Sequence, residues 1–170
     1  NQEITKLKSR HNLQDKKIVL YAPSFRKDKS FYDGLVFNVE KLLSALKERF
    51  GEEYVFCYRL HPNDQNIKVM FDNPKYVDLT KEADSQLILA ASDIVISDYS
   101  SMSLDFALTG RLALNYAPDY DKYVNTDRKL YLDVKTCGIP FAETFDTLIN
   151  NIKTFDEQEY SIGLEKLYGY

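Results

Sequence analysis

Lys17 to Ala22 is a short apolar run, partly β-branched, that stops at Pro23, and this pattern predicts a buried strand. Residues 24–36 then turn polar and are expected to form a loop. From Val39 the apolar positions Leu42, Leu43, Leu46 and Phe50 return at helical spacing, and Gly51 stands where a helix C-terminus favours a residue free to take positive φ. The pattern continues with a strand over Tyr54 to Leu60, a short strand over Tyr76 to Leu79 and a helix over Ser85 to Ala91. A further strand is expected over Asp93 to Ser97, a helix over Ser101 to Thr109 and a strand over Arg111 to Tyr116. Two helical segments, Thr144 to Phe155 and Asp156 to Leu167, close the chain. Continuously apolar strands separated by helices indicate a parallel sheet covered on both faces. The expected fold is therefore α/β: a doubly wound, mostly parallel, Rossmann-like sheet.

Composition narrows this without redirecting it. A chain of 170 residues has room for one good hydrophobic core and not for two, so residues 1–170 are expected to form a single domain. No internal repeat, low-complexity tract or Gly/Ser/Pro-rich linker divides it. Thirteen tyrosines and ten phenylalanines with no tryptophan point to rings packed in the core and at its rim. The net charge of −4 argues against a nucleic-acid partner, which usually demands a basic face. Residues 1–60 nevertheless hold 12 Lys and Arg against 8 Asp and Glu, an excess that could serve a small anion or a solvated surface. Two cysteines, Cys57 and Cys137, without CxxC spacing suit a reducing cytoplasm. No apolar stretch is long enough to cross a bilayer, and the N-terminus carries no signal-peptide core. Asn1 in place of an initiating Met suggests a segment of a longer protein.

In open parallel sheets, ligands bind outside the carboxyl ends of the strands, where loops and helix N-termini converge. Four segments follow strand ends here: residues 23–29, 61–64, 98–101 and 117–121. The first reads Tyr21-Ala22-Pro23-Ser24-Phe25-Arg26, with Lys27 and Lys29 beyond. The planar fork of Arg26 matches phosphate oxygens, although a solvated basic loop would read the same way. The second reads Arg59-Leu60-His61-Pro62-Asn63-Asp64. Pro62 restricts the backbone of His61 to extended conformations and so places the imidazole, either as a preorganised catalytic group or as a buried structural histidine. The other histidine, His11, lies in a polar stretch and is expected to be merely solvated.

The third segment is Ser97-Asp98-Tyr99-Ser100-Ser101, leading into a helix that carries Asp105. Free N–H groups, a positive dipole end and two hydroxyls suit an anion, while simple capping is the rival account. Neither serine has Glu or Gln three residues on, so a capping box does not explain the pair. The sequence lacks GxGxxG, GxxxxGK[ST] and GxSxG, which excludes a dinucleotide fingerprint, a P-loop and a nucleophile elbow. No Cys/His spacing suggests zinc. A receiver-type signalling domain would want an acidic pair where Ala22-Pro23 stands.

Taken together, Tyr-Ala-Pro-Ser-Phe-Arg at 21–26, Leu-His-Pro at 60–62 and Ser-Asp-Tyr-Ser-Ser at 97–101 with Asp105-Phe106 resemble the CDP-glycerol glycerophosphotransferase family of teichoic acid and capsule polymerases and primases. The resemblance runs from about Lys16 to Phe155, with the serine motif its most specific part. It implies one lobe of a GT-B fold, the C-terminal donor-binding lobe, facing a cleft shared with an N-terminal lobe. It also implies CDP-glycerol as donor, with catalytic roles for His61 and Arg26. Substrate contacts or pocket support would come from Ser24, Arg59, Asp64, Ser97, Asp98, Ser100, Ser101, Asp105 and Asp119. No cofactor and no metal are implied. Partners would be a polymer or lipid-linked acceptor brought by the other lobe, which would also supply the general base. The location would be the inner face of the bacterial cytoplasmic membrane, with membrane contact made elsewhere in the parent protein. Three departures from the family pattern, Ser24-Phe25 for Thr-Trp, a missing proline at Gly110-Arg111-Leu112 and a missing glycine at Arg128-Lys129, leave the polyol open between glycerol and ribitol. A nucleotide-sugar glycosyltransferase lobe, or a non-catalytic module whose polar strand ends are only caps, also remains possible on the residues alone.

Overall fold

The computed structural model describes residues 2–35, 37–69, 71–73, 75–126, 130 and 132–169; Asn1 and Arg128-Lys129 lie outside them. Six strands form one sheet: β1 (Lys17–Tyr21), β2 (Tyr54–Tyr58), β3 (Tyr76–Asp78), β4 (Ile94–Ser97), β5 (Ala113–Tyr116) and β6 (Phe141–Ala142). Their order is β3-β2-β1-β4-β5-β6, and every neighbouring pair is parallel. The chain builds outward from β1 in one direction, then returns to place β4 on the other side. Loops leaving β1 and β4 thus diverge to opposite faces and open a crevice at their carboxyl ends.

The helical layers follow from amphipathic stripes. Helix α3 (Val39–Phe50) buries Val39, Leu42, Ala45 and Leu46, and packs against α7 (Phe145–Lys153), which buries Leu148, Ile149 and Ile152. Asn38 caps α3 by accepting from the Lys41 N–H, and Gly51 closes it at φ 71°, a conformation that a side chain would disfavour. Helices α4 (Ser85–Ala91) and α5 (Ser101–Ala107) form the other layer with α1 (Gln2–Arg10). The aromatic excess finds its place here. Phe37 touches Tyr21, Phe56, Phe71, Tyr116 and Phe145 with ring centroids 4.6 to 6.0 Å apart.

Helix α8 (Glu157–Tyr168) crosses the segment around Gly138 so closely that a Cβ on Gly163 would sit 2.8 Å from the Gly138 carbonyl oxygen. Only glycine permits that approach. Thr144 and Asp156, expected as first helical residues, are the N-caps of α7 and α8, accepting from the Thr147 and Glu159 N–H groups.

Several elements differ from expectation. Helix α1 forms from a stretch whose pattern is too sparse to announce it, because a single turn-spaced pair, Ile4 and Leu7, meets the core while the rest is solvated. His11, expected in solvent, instead lies 2.7 Å through Nε2 from Glu82, which also receives Arg10. The polar segment after β1 contains a one-turn helix, α2 (Ser30–Asp33), and residues 120–126 form helix α6 (Tyr120–Thr126). Strand β6 is two residues long, too short for an alternating or continuous apolar pattern to register.

Candidate functional site

A cleft of about 450 Å³ opens at the carboxyl ends of β1, β2, β4 and β5. Its lining includes the polar residues Ser24, Arg59, His61, Ser100 and Ser101 and the apolar Leu104, Leu132 and Val134. Three of the four strand-end segments therefore meet in one place, and His61 and Ser101 line the same cleft.

His61 is exposed, so it is not a buried structural histidine. Its backbone is extended (φ −60°, ψ 144°), as the following proline requires, and Pro62 starts a single 3₁₀ turn over Pro62–Asp64. Nδ1 accepts the Asn63 N–H at 3.2 Å, which puts the ring proton on Nε2. Phe25 packs edge-on against the imidazole at 5.6 Å. The ring's tautomer is therefore set, with Nε2 as its donor.

Arg59 continues the β2 end. It is only 8 % exposed, its Nε has no hydrogen-bond partner among the described residues, and Nη2 reaches only the Glu82 carbonyl at 3.4 Å. Burial pulls its pKa below the ordinary arginine value. A buried guanidinium with an unanswered N–H favours an anion.

Arg26 behaves in the opposite way. At 2 % exposure it donates through Nε to Asp119 at 2.7 Å, through Nη2 to Asp98 at 2.7 Å and Asp119 at 3.1 Å, and through Nη1 to the Ser24 carbonyl at 2.8 Å. Phe31, Tyr99 and Tyr123 lie 4.3 to 4.9 Å from its carbon centre. Burial alone would lower its pKa, but Asp98 and Asp119 outweigh it and raise the value well above the ordinary one. The sequence places this guanidinium at a strand end as if aimed at phosphate. In the fold it holds the wall of the cleft and borders a separate hollow of about 200 Å³ with Asp119.

The remaining sequence-derived candidates divide in the same manner. Asp98 accepts from the Ser24 N–H and hydroxyl, the Tyr99 N–H and Arg26, and so ties the β1 and β4 loops together. Ser97 donates its hydroxyl to the Ala22 carbonyl at 2.7 Å across the same seam. Asp64 is buried, accepting from Tyr32 at 2.8 Å and pairing with Lys29. Asp119 also accepts from the Tyr99 hydroxyl at 3.0 Å. None of these carboxylates lines the cleft, and Asp105 is exposed on α5 outside it. Ser100 is the N-cap of α5, accepting the Met102 N–H at 3.1 Å, while Ser101 is exposed at the cleft wall. Both serines line the cleft, and Ser100 also caps the helix.

Asn115, Leu132, Val134 and Cys137 line the cleft and were not among the sequence-derived candidates. Asn115 interrupts an apolar strand at the β5 end, and that break in pattern was a usable signal. The other three come from an irregular segment with no periodicity to read. Among the described residues no group of three or more His, Cys, Asp or Glu is placed to hold a metal ion, and no helix is long and apolar enough to cross a membrane.

Comparison with known proteins supplies the relationship that this geometry leaves open. The chain is 36% identical over 157 residues to the teichoic acid poly(glycerol phosphate) polymerase of Bacillus spizizenii, covering 89% of this chain and 40% of that protein. It is 34% identical over 162 residues to the teichoic acid glycerol-phosphate transferase of Staphylococcus aureus, covering 91% of this chain and 40% of the relative. The chain thus spans about two fifths of the length of these curated relatives. The structure of the wall teichoic acid polymerase TagF superposes with a TM-score of 0.72 at 26% identity, over 99% of this chain and 42% of that one; a variant of TagF soaked with CDPG gives 0.72 at 25%, over 99% and 41%. The family model described as CDP-Glycerol:Poly(glycerophosphate) glycerophosphotransferase matches residues 1–166, and the chain belongs to that family.

Proposed function

We propose that this chain is the donor-binding lobe of a transferase that moves glycerol phosphate from CDP-glycerol to a growing teichoic acid chain. The observation that carries the proposal is the cleft itself. It brings Arg59, with its unanswered Nε–H, His61, with its Nε2 donor, and the Ser101 hydroxyl into one cleft at the carboxyl edge of the sheet. Three donors converging without a carboxylate between them suit a diphosphate. In the reaction, an acceptor hydroxyl attacks the glycerol-bearing phosphorus, the bond from that phosphorus to the oxygen bridging it to CMP breaks, and CMP leaves with the bridging oxygen. The acceptor proton passes to a base outside this lobe. Such chemistry depends mainly on alignment and on stabilising charge spread over the phosphoryl oxygens. Arg59 and His61 do the second. Arg26 is a positioning residue: by joining Asp98 to Asp119 it fixes the loops that carry Ser24 and the start of α5. The acceptor is a lipid-linked or polymeric glycerol phosphate at the inner face of the cytoplasmic membrane, presented by parts of the parent beyond this lobe.

Calorimetric titration of this chain with CDP-glycerol, CMP and a UDP-sugar tests the proposal. Saturable heat with the two cytidine ligands is expected. Absence of heat with both at millimolar concentration would discard the donor assignment, and a preference for the UDP-sugar would transfer the lobe to sugar chemistry.

A further inference from the structure

Asn115, near the end of β5, also lines the cleft; it is 1 % exposed, and its Oδ1 has no hydrogen-bond partner among the described residues. A buried amide oxygen without a donor is costly, and native interiors rarely leave one. Leu104, Leu132 and Val134 line the same cleft and offer no donor side chain, and the hydroxyls of Ser103 and Tyr99, which also line it, are already given to the Ser100 carbonyl and to Asp119. A donor on a ligand seated in the cleft would answer that oxygen.

The orientation of that amide follows from Cys137. The thiol donates to the Val134 carbonyl at 3.5 Å, so only its sulfur lone pairs are left toward Asn115, and the Asn115 Nδ2 lies 3.9 Å from that sulfur. Burial holds the thiol pKa above its ordinary value, so the S–H proton stays in place. The nitrogen end of the amide is turned to sulfur, and the oxygen end faces the other way.

We infer that Asn115 is a specificity-determining residue that accepts a hydrogen bond from the exocyclic amine of a cytosine ring seated between the apolar side chains of the cleft. This rests on the donor assignment above and goes beyond it by naming the group that tells cytosine from uracil. Cytosine presents an N4 amine where uracil presents a carbonyl oxygen. Uracil would set two acceptors against each other in a buried site and leave Oδ1 still without a donor. A flat ring also fits a wall of branched aliphatic side chains, with the phosphates reaching back to Arg59 and His61.

Titration of this chain with CMP, UMP and N4,N4-dimethyl-CMP is the test, repeated on Asn115→Leu. CMP is expected to bind about tenfold or more tightly than UMP, since one unmet buried hydrogen bond has that effect. The dimethylated analogue, which has no N4 hydrogen to donate, is expected to fall to the UMP level; this arm needs no variant and holds even if Asn115→Leu fails to fold. In a folded Asn115→Leu the CMP to UMP ratio is expected to collapse toward unity. Equal binding of CMP and UMP by the wild-type chain, or an Asn115→Leu ratio unchanged from wild type, overturns the role of Asn115 while leaving the donor site standing. Failure of every nucleotide to bind strikes the donor assignment itself and this inference with it.

Discussion

Two arginines leave neighbouring strand ends of this sheet, and they end in opposite circumstances. Arg26, after β1, has its donors met by Asp98, Asp119 and the Ser24 carbonyl and its faces covered by aromatic rings. Arg59, after β2, is nearly as buried but keeps an N–H with nothing to receive it. Residue type and strand-end position are the same. What separates the scaffold arginine from the proposed ligand-binding one is whether the protein has already satisfied the group. The same division runs through the other polar residues of the region: Asp98, Asp119 and Ser97 are satisfied internally, while His61 and Ser101 line the cleft.

The largest effect is expected from breaking the satisfied side. Arg26→Ala removes the partner of two carboxylates, one 1 % and the other 16 % exposed, and should lower unfolding free energy by about 3–5 kcal/mol in denaturant titration. Arg26→Lys should recover little of this, since an ammonium cannot bridge Asp98 and Asp119 with a planar fork. A loss below about 1 kcal/mol would be the behaviour of an exposed pair and would remove Arg26 from the scaffold.

Alkali should act next, and on the interior rather than the cleft. Burial moves Cys57 from 9.0 to about 12, and Tyr116 and Tyr160 from 10.0 to about 12. These are acids kept protonated by folding, so the unfolded chain ionises first. Stability is complete below about pH 9, falls as the pH climbs past the unfolded values, and the fall continues to about pH 12. Melting temperatures recorded from pH 8 to 12 should trace that decline, and Cys57→Val should make the early part shallower. A flat profile between pH 9 and 11 would contradict the stated burial.

The unsatisfied side should respond in binding and not in stability. His61→Ala removes an exposed ring and is expected to leave stability within about 0.5 kcal/mol. Its affinity for CDP-glycerol should drop by about tenfold to a hundredfold, the value of a hydrogen bond to a charged group. Arg59→Met should weaken binding comparably while holding or raising stability, because it deletes a buried N–H that nothing satisfies. Should Arg59→Met destabilise as Arg26→Ala does, the distinction between the two arginines is lost.

The alternation of apolar runs was enough to give the doubly wound sheet, the main helices and the strand ends where the cleft lies. Short elements such as β6 and α2 escaped because two to four residues carry no period, and α1 because so few of its side chains meet the core. At the site, position was legible and satisfaction was not. Nothing in Tyr-Ala-Pro-Ser-Phe-Arg says that Asp98 and Asp119, more than seventy residues away in sequence, will close around that arginine. Asn115 was visible as a polar break in an apolar strand, but its lack of a partner is a property of the packed chain.

The two adjacent serines offer the smallest and finest version of the contrast. Ser100 accepts the Met102 N–H as the cap of α5, so Ser100→Ala should cost about 1 kcal/mol of stability. Ser101, one residue on, makes no such bond and faces the cleft, so Ser101→Ala should leave stability unchanged and weaken CDP-glycerol binding only a few-fold, as loss of one neutral hydroxyl contact does. Because the side chains differ only in which way the backbone turns them, general damage to the α5 start would affect both properties in both variants. Ser100 lines the cleft as well as capping α5, so its variant should lose stability together with some affinity, while affinity lost at 101 with stability kept separates lining from capping; stability lost at 101 would mean that it, too, holds the start of α5.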